Sequence, residues 1–163
     1  MEYVIRNASE QDIDEVFDMA HSLAEMQNLL PRFCLTPAIL KDMINDPHPT
    51  THTIVISQQE TILGFAMYTL LKNNRLYHHG FAMYVDELFI KPAFRGKALG
   101  TQLFKYIAGV ATQSACNRME WWVETDNKDA MIFYEKMGAR ALDEFVTFRL
   151  QEPALSEYAR RES

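Results

Sequence analysis

Ile13, Val16, Phe17, Ala20, Leu23 and Ala24 recur at three- and four-residue spacing, the repeat of a helix with one apolar face. Ser9 stands before them with Asp12 three positions on, a helix-start pattern, and Pro31 lies beyond the end. Upstream, residues 3–6 read as a short strand. Thr36-Pro37 repeats the start signal, a capping hydroxyl followed by proline at the first helical position, and predicts a second helix through about Ile44. Asp46-Pro47-His48-Pro49 stops it. The period then shortens to that of strands. Residues 53–57 and 61–71 are β-branched, aromatic and aliphatic, with Gln58-Gln59-Glu60 as the hairpin turn. After the polar cluster Lys72-Asn73-Asn74-Arg75, Phe81–Ile90 forms a long third strand.

That strand stops at Pro92 and gives way to a basic turn holding Arg95, Gly96 and Lys97. A helix then opens with Leu99, Leu103, Tyr106, Ile107 and Val110 on one face and runs to Thr112 or a little beyond. Residues 119–124, including Trp121, Trp122 and Val123, read as a strand, and bulk on both faces makes it a central one. A short helix over residues 128–137 carries Ala130, Phe133, Tyr134 and Met137 on one side, with Gly138 where a left-handed C-terminal glycine belongs. Residues 139–150 resume strand character, and the polar tail from Pro153 is expected to fray. The order of elements predicts one α/β domain over residues 1–163, with a mixed, mostly antiparallel sheet flanked by helices.

Charge narrows what such a domain binds. A net charge of −6 disfavours a nucleic-acid surface, which needs a basic patch, and suits a cationic small molecule. No leader pattern and no apolar run of the roughly 18 residues that span a bilayer is evident. Cys34 and Cys116 make no disulfide framework and read as buried, reduced thiols, so the expected compartment is the cytoplasm. His48 and His52 flank Pro49 without the helical setting of a paired-histidine site, so no metal is expected.

Three places carry candidate chemistry. A helix N-terminus entered through glycine offers free backbone N–H groups and partial positive charge to a phosphate, which singles out Gly96 to Thr101. Asp86 and Glu87 are adjacent acids in an otherwise apolar strand, where neighbours point to opposite faces unless the strand bulges. They read either as reacting groups or as solvent-facing acids. Glu120, Trp122 and Glu124 alternate along the next predicted strand and share one of its faces. A doubly wound nucleotide fold would put its glycines after the first strand; here three successive strands precede the turn.

The turn Arg95-Gly96-Lys97-Ala98-Leu99-Gly100 and the run Asn127-Lys128-Asp129-Ala130-Met131-Ile132-Phe133-Tyr134-Glu135-Lys136-Met137-Gly138, each after a strand and before a helix, resemble the two motifs of the GNAT family of N-acetyltransferases. Ile5-Arg6, Gly64-Phe65-Ala66-Met67-Tyr68, Asp86-Glu87 and Ile132-Phe133-Tyr134 look most like its diamine (spermidine/spermine) group. The likeness is weaker at residues 25–30 and 77–79, so fold and reaction carry over better than substrate. The one departure within the turn is Ala98, where the family has its middle glycine. Alanine keeps the N–H but resists positive φ, so position 98 is expected at or near helical angles.

The resemblance implies acetyl-CoA as donor and a small primary amine, a polyamine or related amino compound, as acceptor. It assigns Tyr134 as general acid for the leaving thiolate, against the plainer reading of a packed tyrosine. It assigns Asp86 to deprotonation through water and Glu87 to contact with the amine. Backbone N–H groups of Leu88, Phe89 and Ile90 would meet the thioester oxygen. Gly96, Lys97, Ala98, Leu99, Gly100 and Thr101 would hold the pyrophosphate, with Arg95 and Lys97 adding charge. Asn127, Ala130 and Phe133 would line the cofactor arm, Asn127 also reading as a helix cap. Glu120, Trp122 and Glu124 would extend an acidic acceptor pocket, with His78-His79 in a loop or beside it. The alternatives are a protein or amino-sugar acetyltransferase and a non-catalytic acyl-CoA sensor. The family also dimerises, and apolar positions across residues 145–150 would serve a homodimer.

Overall fold

The computed structural model describes residues 2–72, 80–143 and 146–160. They fall into two compact units, Met1–Trp122 and Val123–Ser163. The first begins with β1 (Val4–Asn7), a 3-10 turn (Glu10–Asp12), α1 (Ile13–Met26), a second 3-10 turn (Leu30–Arg32) and α2 (Pro37–Asn45). Then come β2 (Thr51–Gln58), β3 (Thr61–Lys72), β4 (Phe81–Ile90), a third turn (Pro92–Phe94), α3 (Leu99–Gln113) and β5 (Cys116–Glu120). The sheet runs β1-β2-β3-β4-β5, antiparallel throughout except where β4 meets β5 in parallel. Mixed and mostly antiparallel, it is the sheet the pattern predicts.

Alternation along the strands divides the core in two. Val55, Ile62, Phe65, Met67 and Phe89 pack with Ile13, Val16, Met19, Ala20 and Leu40 of the first two helices. Ile54, Ile56 and Ala66, one residue out of step, are buried on the other face, as are Leu99, Leu103 and Ile107 of α3. Each fully buried aliphatic side chain contributes roughly 1.5–3 kcal/mol. The entry to α1 is polar and tight. The Asp12 carboxylate accepts from the backbone N–H and hydroxyl of Ser9 at 2.7 and 2.8 Å and takes both Arg6 guanidinium nitrogens at 2.7 and 2.9 Å. Lys91, just past β4, is paired with Glu15 of α1.

Two strand expectations fail. The strand read at residues 119–124 is β5, which ends at Glu120 and lies at the edge of the sheet. Its bulk marked contacts other than a second ladder: Trp121 meets Phe104 of α3 edge-on at 4.8 Å, and Trp122 meets Tyr84 edge-on at 5.8 Å. Residues 139–143 and 146–150 form no strand: Leu142, Val146, Phe148 and Leu150 are exposed, so no buried face holds them to a strand's period. Two smaller readings change as well. Cys34 is exposed and Cys116 only half-buried, because Cys34 falls in the loop after the second 3-10 turn rather than in an element. Asn73 to Arg75 of the expected turn, and Tyr77 to His79, lie outside the described residues.

The second unit holds α4 (Lys128–Lys136) and α5 (Ala154–Ala159). Asn127 caps α4, its side-chain oxygen accepting from the Ala130 N–H at 3.2 Å. Gly138, at φ 91°, ends it: its N–H reaches the Glu135 carbonyl and the Ala139 N–H reaches that of Tyr134, the paired bonds of a Schellman stop. The tail expected to fray instead forms α5, where Glu152 accepts from the hydroxyl of Ser156 at 2.7 Å and from its backbone N–H at 3.3 Å.

Candidate active site

Register decides which way the paired acids face. Met67 lies opposite Glu87 and Tyr68 opposite Val85, so β4 spends one extra residue, Asp86, against a single step of β3. Residues directly opposite in a ladder share a face, which puts Glu87 with Met67 and Phe65 on the side of α1. Thr69, two beyond Met67, is on that side too, and its hydroxyl donates to the Asp86 carboxylate at 2.7 Å. The bulge therefore brings Asp86 and Glu87 to one face. Both keep an exposed edge, yet surrounding protein removes enough water to push both pKa values up; for Glu87 the charge of Asp86 adds to this, and for Asp86 the Thr69 hydroxyl opposes it.

Tyr84, which sequence reasoning missed, stands opposite Thr69 on the same face. Its phenol pKa is pushed up to about 12, by burial first and then by Asp86 and Glu87, with a backbone hydrogen bond from Trp122 opposing and Glu120 adding to the rise. No period-two pattern would have joined Tyr84 to both acids, because the bulge reorders the faces.

Beneath Glu87 a cavity of about 280 Å³ opens between the sheet and the end of α1. Its wall is apolar (Leu23, Leu29, Phe33, Leu35, Phe65, Met67) apart from Gln27, Arg32, Cys34 and Glu87. Arg32 arrives there because α1 ends in a left-handed Asn28, φ 56°, with Leu29 N–H bonded to Ala24 O at 2.8 Å. Arg32 carried no motif and was not singled out, and Cys34 was read only as a buried thiol.

The acidic face expected of Glu120, Trp122 and Glu124 is not a strand face. Glu120 is in the ladder, opposite Tyr84, and pairs with Arg118 at 2.7 Å. Trp122 lies past the strand's end, 68% exposed, and Glu124 belongs to the irregular start of the second unit, so two-residue alternation no longer relates them.

At the other end of β4 the ladder to β5 stops at Tyr84–Glu120, while β4 continues to Ile90. Residues 85–90 thus have one edge without a strand partner among the described residues, and Leu88, Phe89 and Ile90 lie along it. The turn beyond meets the requirements of a phosphate. Gly96 sits at φ 76°, with nothing within 4 Å of where a Cβ would stand, and α3 begins at Leu99 without a side-chain cap on its N–H groups. Ala98 departs from expectation: it is left-handed, φ 58° and ψ 15°, because the turn has to swing from the end of β4 into α3 within a few residues. Gly100 is helical, and a Cβ there would make ordinary contact with Leu88 and Ile90. Thr101 lies in the first turn of α3. Arg95 is tied back, donating to Ile90 O at 3.0 Å and lying over Phe89, while Lys97 lies over Phe94, 5.4 Å from its ring centre.

Residues 14–139 match the family model described as the acetyltransferase (GNAT) family. The chain belongs to that family. It is 27% identical over 168 residues to the thialysine N-epsilon-acetyltransferase of Mus musculus, covering 96% of this chain and 97% of that one. It is 26% identical over 145 residues to spermidine/spermine N(1)-acetyltransferase-like protein 1 of Homo sapiens, covering 84% of this chain and 20% of that longer protein. Among solved structures, an integron cassette protein from the V. cholerae mobile metagenome superposes with TM-score 0.77 at 24% identity over 99% of each chain, a likeness of fold. As a GNAT member the chain is an N-acetyltransferase, similar to enzymes that act on amines.

The family's second motif falls on α4. Tyr134 is half-buried and its pKa is raised by that burial, which keeps the phenol protonated at neutral pH. Phe133 lies 5.2 Å from it, ring centre to ring centre, and Ala130 supplies the N–H that Asn127 caps. Burial also raises the Cys116 pKa, which leaves that thiol a poor nucleophile. No helix among the described residues is long and apolar enough to cross a membrane.

Proposed function

We propose that the protein transfers the acetyl group of acetyl-CoA directly to a small primary amine, a polyamine-like or amino compound. The observation that carries this is the bulge at Asp86, which sets two carboxylates of raised pKa on one face, Glu87 in the wall of an apolar cavity. The thialysine and spermidine/spermine names of the relatives agree with an amine acceptor.

An alkylammonium has a pKa of about 10.4 and must lose a proton before it attacks a thioester. Glu87 meets the amine, and Asp86, held by Thr69, accepts the proton through water. The free edge at Leu88, Phe89 and Ile90 supplies a backbone N–H to the developing oxyanion. The N–H groups from Gly96 to Thr101 take the pyrophosphate, with Lys97 the nearer mobile charge because Arg95 is engaged. Asn127, Ala130 and Phe133 flank the cofactor arm, and Tyr134 protonates the leaving thiolate. Glu120 and Trp122 bound the acceptor side through Tyr84, and Glu124 follows them. Residues 1–163 act as one catalytic domain in this reading, as a homodimer in the cytoplasm, where free thiols at Cys34 and Cys116 are stable.

Replacement of Tyr134 by Phe tests the chemistry. Expected is a fall in kcat of roughly a hundredfold or more with acetyl-CoA affinity changed little, read from CoA release and from calorimetry. Unchanged kcat would remove Tyr134 from the acid role.

A further inference from the structure

Arg95 is held by three neighbours, and on the footing of the acetyltransfer reading above each of them bears on the reaction. Lys91 N–H donates to Leu63 O at 3.0 Å, which makes that pair, and Phe89 with Phe65, hydrogen-bonded pairs of the β3–β4 ladder. Leu88 and Ile90 alternate with them. Their N–H and C=O groups therefore point away from β3, to the edge that β5 leaves after Tyr84. Phe89 N–H is taken by the ladder, so an oxyanion on that edge meets the N–H groups of Leu88 and Ile90. The same edge carries their carbonyl oxygens, whose lone pairs oppose negative charge. Arg95 sits on one of these, its Nε donating to Ile90 O at 3.0 Å.

The guanidinium is engaged on two more sides. Its Nη2 donates to Sδ of Met26, the last residue of α1, at 3.4 Å, and it lies over Phe89, 5.5 Å from the ring centre. Both hydrogen-bonding forks of a guanidinium, Nε with Nη2 and Nη1 with Nη2, use an occupied nitrogen here, so neither is open to a phosphate. Phe89 packs in turn on Phe65 of the cavity wall, 6.3 Å between ring centres, and Ala24 and Gln27, which flank Met26 in the chain, line the same cavity. One side chain thus joins the turn before α3, the open edge of β4 and the end of α1. We propose that Arg95 is a positioning residue: it neutralises the Ile90 carbonyl beside the developing oxyanion and ties the cofactor turn to the acceptor cavity, leaving the pyrophosphate to the backbone N–H groups and Lys97.

S-acetylpantetheine keeps the thioester and lacks the pyrophosphate, so it separates the two roles. Arg95→Met should lower kcat about ten- to a hundredfold, by the same factor with acetyl-CoA and with S-acetylpantetheine, while calorimetric affinity for CoA and for ADP changes by less than about twofold. Arg95→Lys keeps the charge without the fork and should recover part of kcat. Hydrogen exchange reads the tie without turnover. In Arg95→Met the N–H groups of Gln27 and Leu29, bonded to Leu23 O and Ala24 O at the end of α1, should exchange about tenfold or more faster, with those of α2 at the native rate. A loss confined to acetyl-CoA and carried by its affinity overturns the proposal and makes Arg95 a phosphate ligand. Unchanged exchange at the end of α1 overturns the tie and leaves acetyl transfer standing. Faster exchange there in Arg95→Met, with no amine turned over by the native protein, upholds the tie and overturns acetyl transfer.

Discussion

Ala98 holds a left-handed conformation that costs an L-residue roughly 1–2 kcal/mol, in a turn where nothing else caps α3. Glycine would relieve that strain while widening the unfolded ensemble, so Ala98→Gly is expected to stabilise by about 0.5–1 kcal/mol, seen as a higher urea midpoint at unchanged slope. Asp12 is the opposite case, a buried acid that its partners satisfy. The Arg6 guanidinium first, then Ser9, hold its pKa at about 2 against an ordinary 3.8, with burial opposing. Its folded pKa being depressed, its contribution of about 2 kcal/mol is complete above the unfolded value near 3.8 and is lost as pH falls through 2. Asp12→Asn should therefore destabilise the protein at pH 7 and differ little from the native chain near pH 2, with denaturation curves at pH 7, 4 and 2.5 as the measure. The Ser9–Asp12 spacing was readable as a helix start, but the Arg6 pair was not, since it depends on β1 lying beside that start.

At the scale of elements, period carried the reading as far as each element met its neighbours regularly. α1, α2, β2, β3, β4 and α3 were legible because Val16, Leu40, Phe65 and Phe89 on one face of the sheet, and Ile54 and Leu103 on the other, are buried at helical or strand spacing. Breaks in register were not. The extra residue at Asp86 leaves no trace in composition, yet it decides that Asp86, Glu87, Thr69 and Tyr84 share a face. Trp121, Trp122 and Val123 have every property of strand residues, but β5 ends before them because β4 diverges after Tyr84. Arg32 and the cavity come from a helix stop at Asn28 that only geometry reveals. The bulge also yields a test. Thr69→Val removes the one hydroxyl that holds the Asp86 pKa down against burial, so that pKa rises. The acid limb of kcat/KM should move to higher pH while the basic limb stays in place.

For the whole molecule, the proposed homodimer draws on the residues that failed to form the expected strand. Val146 is 76% exposed and Phe148 92%, and with Leu150 they alternate as one face of an extended segment would. Phe145, the first residue of that expected apolar run, lies outside the described residues. A bare phenylalanine flanked by aliphatic residues at this spacing suits an extended segment of a second copy, which would cover the apolar side chains. Phe148→Asp puts a charge at the centre of that face and, at such exposure, leaves the fold of one copy almost untouched. Light scattering behind a sizing column should give about twice the 18.9 kDa chain mass for the native protein and the single-chain mass for the variant, with their far-ultraviolet spectra alike. A native protein that runs at the single-chain mass across micromolar concentrations would end the dimer reading.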